Sequence, residues 1–281
     1  MGTIVIGISA FAGDHPAIDW GMQFAHDHAA EVEIVHVVDT TWGHAPLDYI
    51  ETTIDAAKNA ISGLAARVQT SFPATRVRTR VRLGSPVTEL AHAAEDADVL
   101  VVGAHPDERS RPSSRRVVRL AALSPCSVVV APSSVVPVGT GVVVGVDGSV
   151  ESDLAVTFAA EVADRHGEVL TVILAWGQPE AWGFVEPTLF ESDPSEEDLL
   201  IIAESIAGLA ESYPDLVIET QVSGSRPEHA LVAAGLDARM LVVGSRGRHG
   251  LSRALLGSVS ESVVTALPCA VAVIRNRTDG A

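Results

Sequence analysis

The chain of 281 residues carries 36 acidic against 19 basic side chains, a formal net charge of −17 and a pI of about 4.9. With 47% hydrophobic and 20% charged residues it has enough apolar surface to build packed cores, which excludes a disordered chain. The acidity argues against nucleic acid and anionic membranes as partners, since both reward basic surface, and the length suits one large domain or two ordinary ones.

The first predicted element is the apolar run TIVIGIS, Thr3 to Ser9, which has no basic stretch ahead of it and so does not read as a secretory leader. No apolar run approaches the roughly 20 residues that cross a bilayer. His26 and His28 lie two apart on a predicted helix, where they face different sides and make no metal pair. From Thr75 to Leu83 arginine alternates with other residues, which places Arg76, Arg78, Arg80 and Arg82 on one face of a strand. Charge on an edge strand blocks unwanted strand addition, and that explains the run without nucleic acid. A fourth strand, in DADVLVVGAHP from Asp96 to Pro106, precedes an arginine-rich stretch holding Arg109, Arg111, Arg115, Arg116 and Arg119. These either recognise an anion or form a solvated surface that pairs with acidic residues. The last strand of this half, Ser127 to Val130, follows Pro125 and Cys126, and the stretch Ala131 to Gly141 then interrupts every pattern with proline, serine and glycine.

Beyond that break the chain is written a second time. Thr3 to Ser9 returns as Gly141 to Asp147, Val81 to Pro86 as Gln221 to Pro227, Asp96 to Pro106 as Asp237 to Gly247, and Leu123 to Ala131 as Leu267 to Ile274. So long a period indicates duplicated domains rather than a solenoid, with residues 1–134 and 140–281 as the two copies. Strands are predicted at Val142 to Val146, Val169 to Ala175, Leu216 to Val222, Met240 to Val243 and Ala270 to Ile274. Helices are predicted at Asp153 to His166, Glu196 to Ser212, Pro227 to Leu236 and Ser258 to Ala266. Continuous apolar strands alternating with helices give two tandem doubly wound, Rossmann-like α/β domains, each with a five-stranded parallel sheet. Ligands of such sheets bind beyond the carboxyl ends of the strands. Cys126 and Cys269 each follow a proline outside any CxxC pattern, and read as buried structural thiols of a cytoplasmic protein.

The fourth strand of the second copy runs into GSRGRHGLSRALLGSVSES, Gly244 to Ser262, with glycine at 244, 247 and 257 and serine at 258. Glycines there can take positive φ and let main-chain amides approach a ligand. The segment Gly257, Ser258, Val259, Ser260 opens a helix whose first amides suit a phosphate. Arg246, Arg248 and Arg253 lie in the same loop, although residues 139–281 hold 8 basic against 21 acidic side chains, or −13. The competing reading is an ordinary turn with Ser258 as a helix cap and solvated arginines. Asp147, ending the first strand of this copy, points to the same crevice, where its carboxylate can accept from a ribose hydroxyl or an adenine amino group. The other role for Asp147 or Ser149 is to cap the helix that follows. Ala175 is a small residue against which a base can lie. His249 is a polar loop residue, and Glu186 to Asp198, with six acids and no base, reads as a solvated connection or a lid.

These residues resemble the universal stress protein family in its tandem-domain form. The carriers are the glycine and serine spacing at Gly244, Gly247, Gly257 and Ser258, VGVDGS at Val144 to Ser149, and LVVGSRG at Leu241 to Gly247. The resemblance covers nearly the whole chain. It implies a strand order of 3-2-1-4-5 and an ATP-binding second domain. Asp147 and Ala175 then lie near adenine, and Val243, Gly244, Gly247, Gly257, Ser258, Val259 and Ser260 lie around ribose and phosphates. Mg2+ or Mn2+ bridging the phosphates would be usual, its protein ligands unnamed. The last strands of the two copies would pair as an intramolecular pseudo-dimer, and the whole chain could in turn form a homodimer.

The first copy departs from this pattern. Ser9 stands where the second has Asp147, Pro106 stands where it has Gly247, and the glycine-serine step falls near Ser114 and Arg115. A proline has neither the amide nor the freedom to copy that turn, so this copy is expected to have lost the nucleotide site. Neither a P-loop, HExxH nor GxSxG occurs, and Lys58 is the only lysine. The leading expectation is therefore a binding module with a regulatory, stress-response role and no assigned catalytic residue. The alternatives are a slow ATP hydrolase or adenylate-transferring enzyme using the same crevice, and a structural dimer that binds nothing.

Overall fold

Runs of valine, isoleucine and leucine that satisfy both faces of a sheet recur in the chain and become buried parallel strands, while one edge strand of each unit, Val77–Gly84 and Ile218–Ser223, stays largely exposed or half-buried. The computed structural model describes residues 2–9, 16–41, 47–104, 112–132, 139–177, 194–248 and 255–276. It divides into two compact units, Met1–Val135 with Arg277–Ala281, and Val136–Asn276. Pro106, Arg109, Arg111, His249, Arg253 and residues 186–193 of the acidic connection lie outside the described residues.

In the first unit the elements are β1 (Thr3–Ile8), α1 (Pro16–Asp27), β2 (Glu31–Asp39), α2 (Leu47–Ser71), β3 (Val77–Gly84), α3 (Pro86–Ala93), β4 (Val99–Gly103), α4 (Pro112–Leu123) and β5 (Ser127–Ala131). They make a parallel sheet in the order β3-β2-β1-β4-β5. The second unit repeats this with β6 (Val142–Val146), α5 (Val150–His166), β7 (Leu170–Ala175), α6 (Glu196–Ser205), α7 (Leu209–Ser212), β8 (Ile218–Ser223), α8 (Pro227–Gly235), β9 (Met240–Gly244), α9 (Ser258–Ala266) and β10 (Ala270–Ile274). Its order is β8-β7-β6-β9-β10, again parallel, so both units carry the expected doubly wound topology.

The reversal of strand order at β6 and β9 opens the crevice at the carboxyl ends of the strands, and packing fixes its floor. A Cβ on Gly145 of β6 would meet the Leu231 side chain of α8 at 2.8 Å, and one on Gly7 of β1 would meet Leu90 of α3 at 3.0 Å. The same glycine-under-leucine contact thus recurs in both units, bringing helix and sheet together where a larger residue would hold them apart. His28 is buried, with its Nδ1 2.8 Å from the Phe24 carbonyl oxygen, while His26 packs on Phe72 with ring centroids 5.9 Å apart.

Four details differ from the sequence-based expectation or sharpen it. Helix α5 begins at Val150 rather than Asp153, because Ser149 caps it and its Oγ accepts from the Ser152 amide at 3.2 Å. The single helix expected from Glu196 to Ser212 is two, α6 and α7, separated at Gly208, whose φ of +80° no continuing helix allows. The arginine face of β3, at the edge of its sheet, meets carboxylates: Arg76 and Arg78 reach Glu31 at 3.1 and 3.4 Å, Arg80 reaches Glu33 at 2.8 Å, and Arg82 reaches Glu89 at 3.1 Å. Among the described residues no helix is long and apolar enough to cross a membrane.

Candidate functional site

The switch point of the second sheet holds a crevice of about 500 Å³. One end is apolar, with Leu174, Ala175, Ile201 and Leu231; the other is formed by the loop after β9 and the start of α9. All eleven residues expected at the site line this one crevice: Asp147, Ala175, Val243, Gly244, Arg246, Gly247, Arg248, Gly257, Ser258, Val259 and Ser260. Trp176 and Pro227 line it too and were not foreseen, and so does Asp198, the last residue of the stretch read as a solvated connection or a lid. Trp176 directly follows Ala175, so its place was within reach of the sequence. Asp198 and Ile201 come from α6, and nothing local says that this helix returns to the strand ends.

Asp147 ties the two sides together. It follows β6, its Oδ1 accepts from the Ser149 amide at 3.0 Å, and its Oδ2 accepts from the Arg248 amide at 3.0 Å. The intervening Gly148 has φ +74°, a left-handed turn that glycine makes at no steric cost. Asp147 is therefore not the cap of α5; Ser149 is.

Two of the loop's glycines, Gly244 and Gly247, are required for a different reason from the one expected. None of Gly244, Gly247 and Gly257 has a positive φ. Crowding excludes a side chain instead: a Cβ on Gly244 would lie 2.9 Å from Glu151 Cβ, and one on Gly247 would collide with the Asp147 carboxylate. Gly257 is roomier, its nearest neighbour being Arg246 Cα at 3.5 Å. Its part is to be the N-cap of α9, with φ −64° and ψ 149° and no side-chain cap, so Ser258 is the first helical residue and not the cap. The first helical hydrogen bond runs from the Glu261 amide to the Gly257 carbonyl at 2.8 Å, leaving the amides of Ser258, Val259 and Ser260 ahead of the ladder, directed out of the helix end. Ser258 is exposed, whereas Ser260 is buried and its hydroxyl donates to the Gly244 carbonyl at 2.6 Å. A further bond from the Gly257 amide to the Ser245 carbonyl, 2.9 Å, ties the start of α9 to the residue that follows β9.

Charge is arranged unevenly across the crevice. Arg246 pairs with Glu151 at 2.8 Å, both side chains largely covered, while Arg248 reaches the exposed Glu197 of α6 only at 3.8 Å. On the helix α5 side, Asp153 has its pKa raised by burial and by the charges of Asp147 and Glu204. The result is a pocket with main-chain donors and arginine at one end, apolar walls at the other, and carboxylates around it. Chemically it suits a molecule with a flat apolar head and an anionic tail.

In the first unit the equivalent strand end carries the exposed Ser9, and His36 of β2 turns its Nδ1 to the Ile8 carbonyl oxygen at 3.1 Å. Burial lowers the His36 pKa, against an opposing contribution from that carbonyl.

Two tandem doubly wound α/β units, one with a glycine loop and a capless helix start at its switch point, define the class of protein. The profile of the universal stress protein family matches residues 1–132 and 141–275, and the chain belongs to that family. It is 31% identical to the universal stress protein Rv2005c of Mycobacterium tuberculosis over 290 residues, 97% of this chain and 96% of that one. It is 29% identical to a universal stress protein of Mycolicibacterium smegmatis over 294 residues, 98% and 97% of the two chains. Among solved structures, a universal stress protein from Archaeoglobus fulgidus has a TM-score of 0.71 at 20% identity, covering 98% of this chain and 97% of its own, a likeness of fold.

Proposed function

We propose that the second unit binds ATP, and that occupancy of its crevice is the signal the protein passes on in a regulatory, stress-response role. One observation carries the reading: apolar walls, a bridging carboxylate and unpaired helix-start amides converge on a single crevice of about 500 Å³. That volume lies in the range of small-molecule sites. The base lies against Ala175 and the apolar end, Asp147 accepts from the ribose or base, and the amides of Gly247 and Ser258 to Ser260 take the phosphates. Charge-assisted bonds from main-chain N–H to phosphate oxygen are short and strong, and they need no side chain that a glycine lacks.

Among the described residues no group of three histidine, cysteine, aspartate or glutamate side chains is placed to hold a metal ion. A Mg2+ or Mn2+ ion would enter here as a companion of the nucleotide, offsetting the charge of its phosphates. A homodimer and a cytoplasmic setting belong to the same reading, the latter supported by Cys126 and Cys269, both buried and neither in a disulfide.

The test is mass spectrometry of small molecules released from the purified chain and from Gly257→Glu. A Cβ at 257 meets only ordinary contacts, the nearest at 3.5 Å, so the substitution is expected to leave the fold intact while bringing a carboxylate to the helix start. Adenine nucleotide from the parent and none from the variant is the expected result. A parent that releases none, and shows no heat with ATP in titration calorimetry, overturns the reading.

A further inference from the structure

Two arginines stand two residues apart in the glycine loop, and their surroundings differ. Arg246 Nη2 lies 2.8 Å from Glu151 Oε1, with the two side chains only 13% and 15% exposed. Glu151 in turn packs against Gly244, whose added Cβ would meet it at 2.9 Å. An anion that drew Arg246 away would strand a largely covered carboxylate, a costly exchange. Arg248 lies in the opposite setting. Its backbone amide is fixed on Asp147 at 3.0 Å, its guanidinium lies over Gly148, and its carboxylate partner Glu197 is distant at 3.8 Å, with exposures of 44% and 77%. Such an exposed pair contributes little and yields readily to a better anion.

We propose that the two arginines divide the work at the crevice: Arg246, through Glu151, positions the glycine loop, while Arg248 reads the number of phosphates on the ligand against Glu197 as its internal competitor. The proposal rests on the adenylate reading above. Arg246 is then a positioning residue whose loss weakens AMP and ATP by a similar factor, because both use the same loop amides. Arg248 is a specificity residue whose loss falls on ATP, since only a longer phosphate tail reaches the mouth of the crevice. Glu197 competes for that guanidinium, so its removal favours ATP alone.

The test is titration calorimetry with AMP and with ATP on the full chain and on Arg248→Ala, Glu197→Gln, Glu151→Gln and Arg246→Ala, each with a melting curve. Expected is a fall of about tenfold in the ATP to AMP affinity ratio for Arg248→Ala, the size of one charge-assisted contact. Glu197→Gln raises that ratio, while Glu151→Gln and Arg246→Ala lower both affinities together and also lower the melting temperature. Should either of the last two fail to fold, Arg248→Ala and Glu197→Gln still decide the matter. Tighter ATP binding by Glu151→Gln would show Arg246 to be a restrained phosphate ligand and overturn the division. So would an unchanged ratio in Arg248→Ala. A parent chain that binds neither AMP nor ATP overturns the adenylate reading and this proposal with it, whereas a binding parent with misplaced variant effects overturns this proposal alone.

Discussion

A methyl group decides much at Gly247. Its Cβ would run into the carboxylate of Asp147, which already accepts from the amides of Ser149 and Arg248 and has nowhere to retreat without breaking one of them. Gly247→Ala should therefore destabilise the second unit by about 1–3 kcal/mol, the usual cost of overpacking, and abolish uptake of adenylate. Gly257→Ala, whose Cβ finds only ordinary contacts, should leave stability nearly unchanged. Denaturant titration of the pair checks the contrast. The glycine positions were legible in the sequence; their reason was not, because a contact between residues 147 and 247 exists only once β6 and β9 are paired. Glu168 carries a second residue-scale expectation. Burial pushes its carboxyl up, but hydrogen bonds from Arg239 at 2.6 and 2.8 Å and from the Gly141 amide at 2.7 Å outweigh this and hold it below the usual 4.5. A pKa lower in the folded state than in the unfolded one means stability fully present above 4.5 and drained as pH falls through the folded value. Glu168→Gln should be less stable at pH 7 and lose less on acidification below about pH 4.5, which melting curves against pH would show.

Among the elements, the strands were the most readable, because a strand buried on both faces has to be apolar throughout: all five residues of β9 and of β10 are buried. Helix limits were less so. Gly208 interrupts an otherwise periodic stretch and was the available sign that α6 and α7 are separate, and Ser149 was the available sign for the start of α5. The sequence left the stretch ending at Asp198 open between a solvated connection and a lid, and did not disclose that α6 supplies Ile201 to the crevice, since a helix reached through a long connection has no local mark of where it docks. The arginine face of β3 was legible as an alternation, and the carboxylates that meet it were not. Arg76 and Arg78 share Glu31, with every member at least 42% exposed, so each pair is worth no more than about 1 kcal/mol. On an edge strand such charges are expected to hinder unwanted strand addition. Arg76→Thr with Arg78→Thr should accordingly melt within a few degrees of the parent yet self-associate more readily at equal concentration. Sedimentation velocity and a melting curve separate the two effects; a large drop in melting temperature without association would refute the edge-guarding role.

At the scale of the whole molecule, charge opposes the ligand proposed for it. The chain carries −17, and residues 139–281 carry 8 basic against 21 acidic side chains, while ATP is itself strongly anionic. Approach is governed by the long-range field and final binding by short contacts, and salt acts on the two differently. Screening reaches about 30 Å at 0.01 M salt but only about 8 Å at 0.15 M, so raising ionic strength removes the repulsion of the distant carboxylates first. The local pull of Arg248 and the α9 amides acts within a few ångströms and survives better. The association rate for ATP should therefore rise over that range of salt, opposite to the fall seen when basic surface steers an anion. With Mg2+ bound to the phosphates the ligand carries less charge and the slope should flatten. Stopped-flow fluorescence, with Trp176 in the crevice as reporter, measures both slopes. A rate that falls with salt would mean that the loop arginines dominate the field at long range, and that the acidic surroundings are too far from the crevice, or too well paired, to matter for entry.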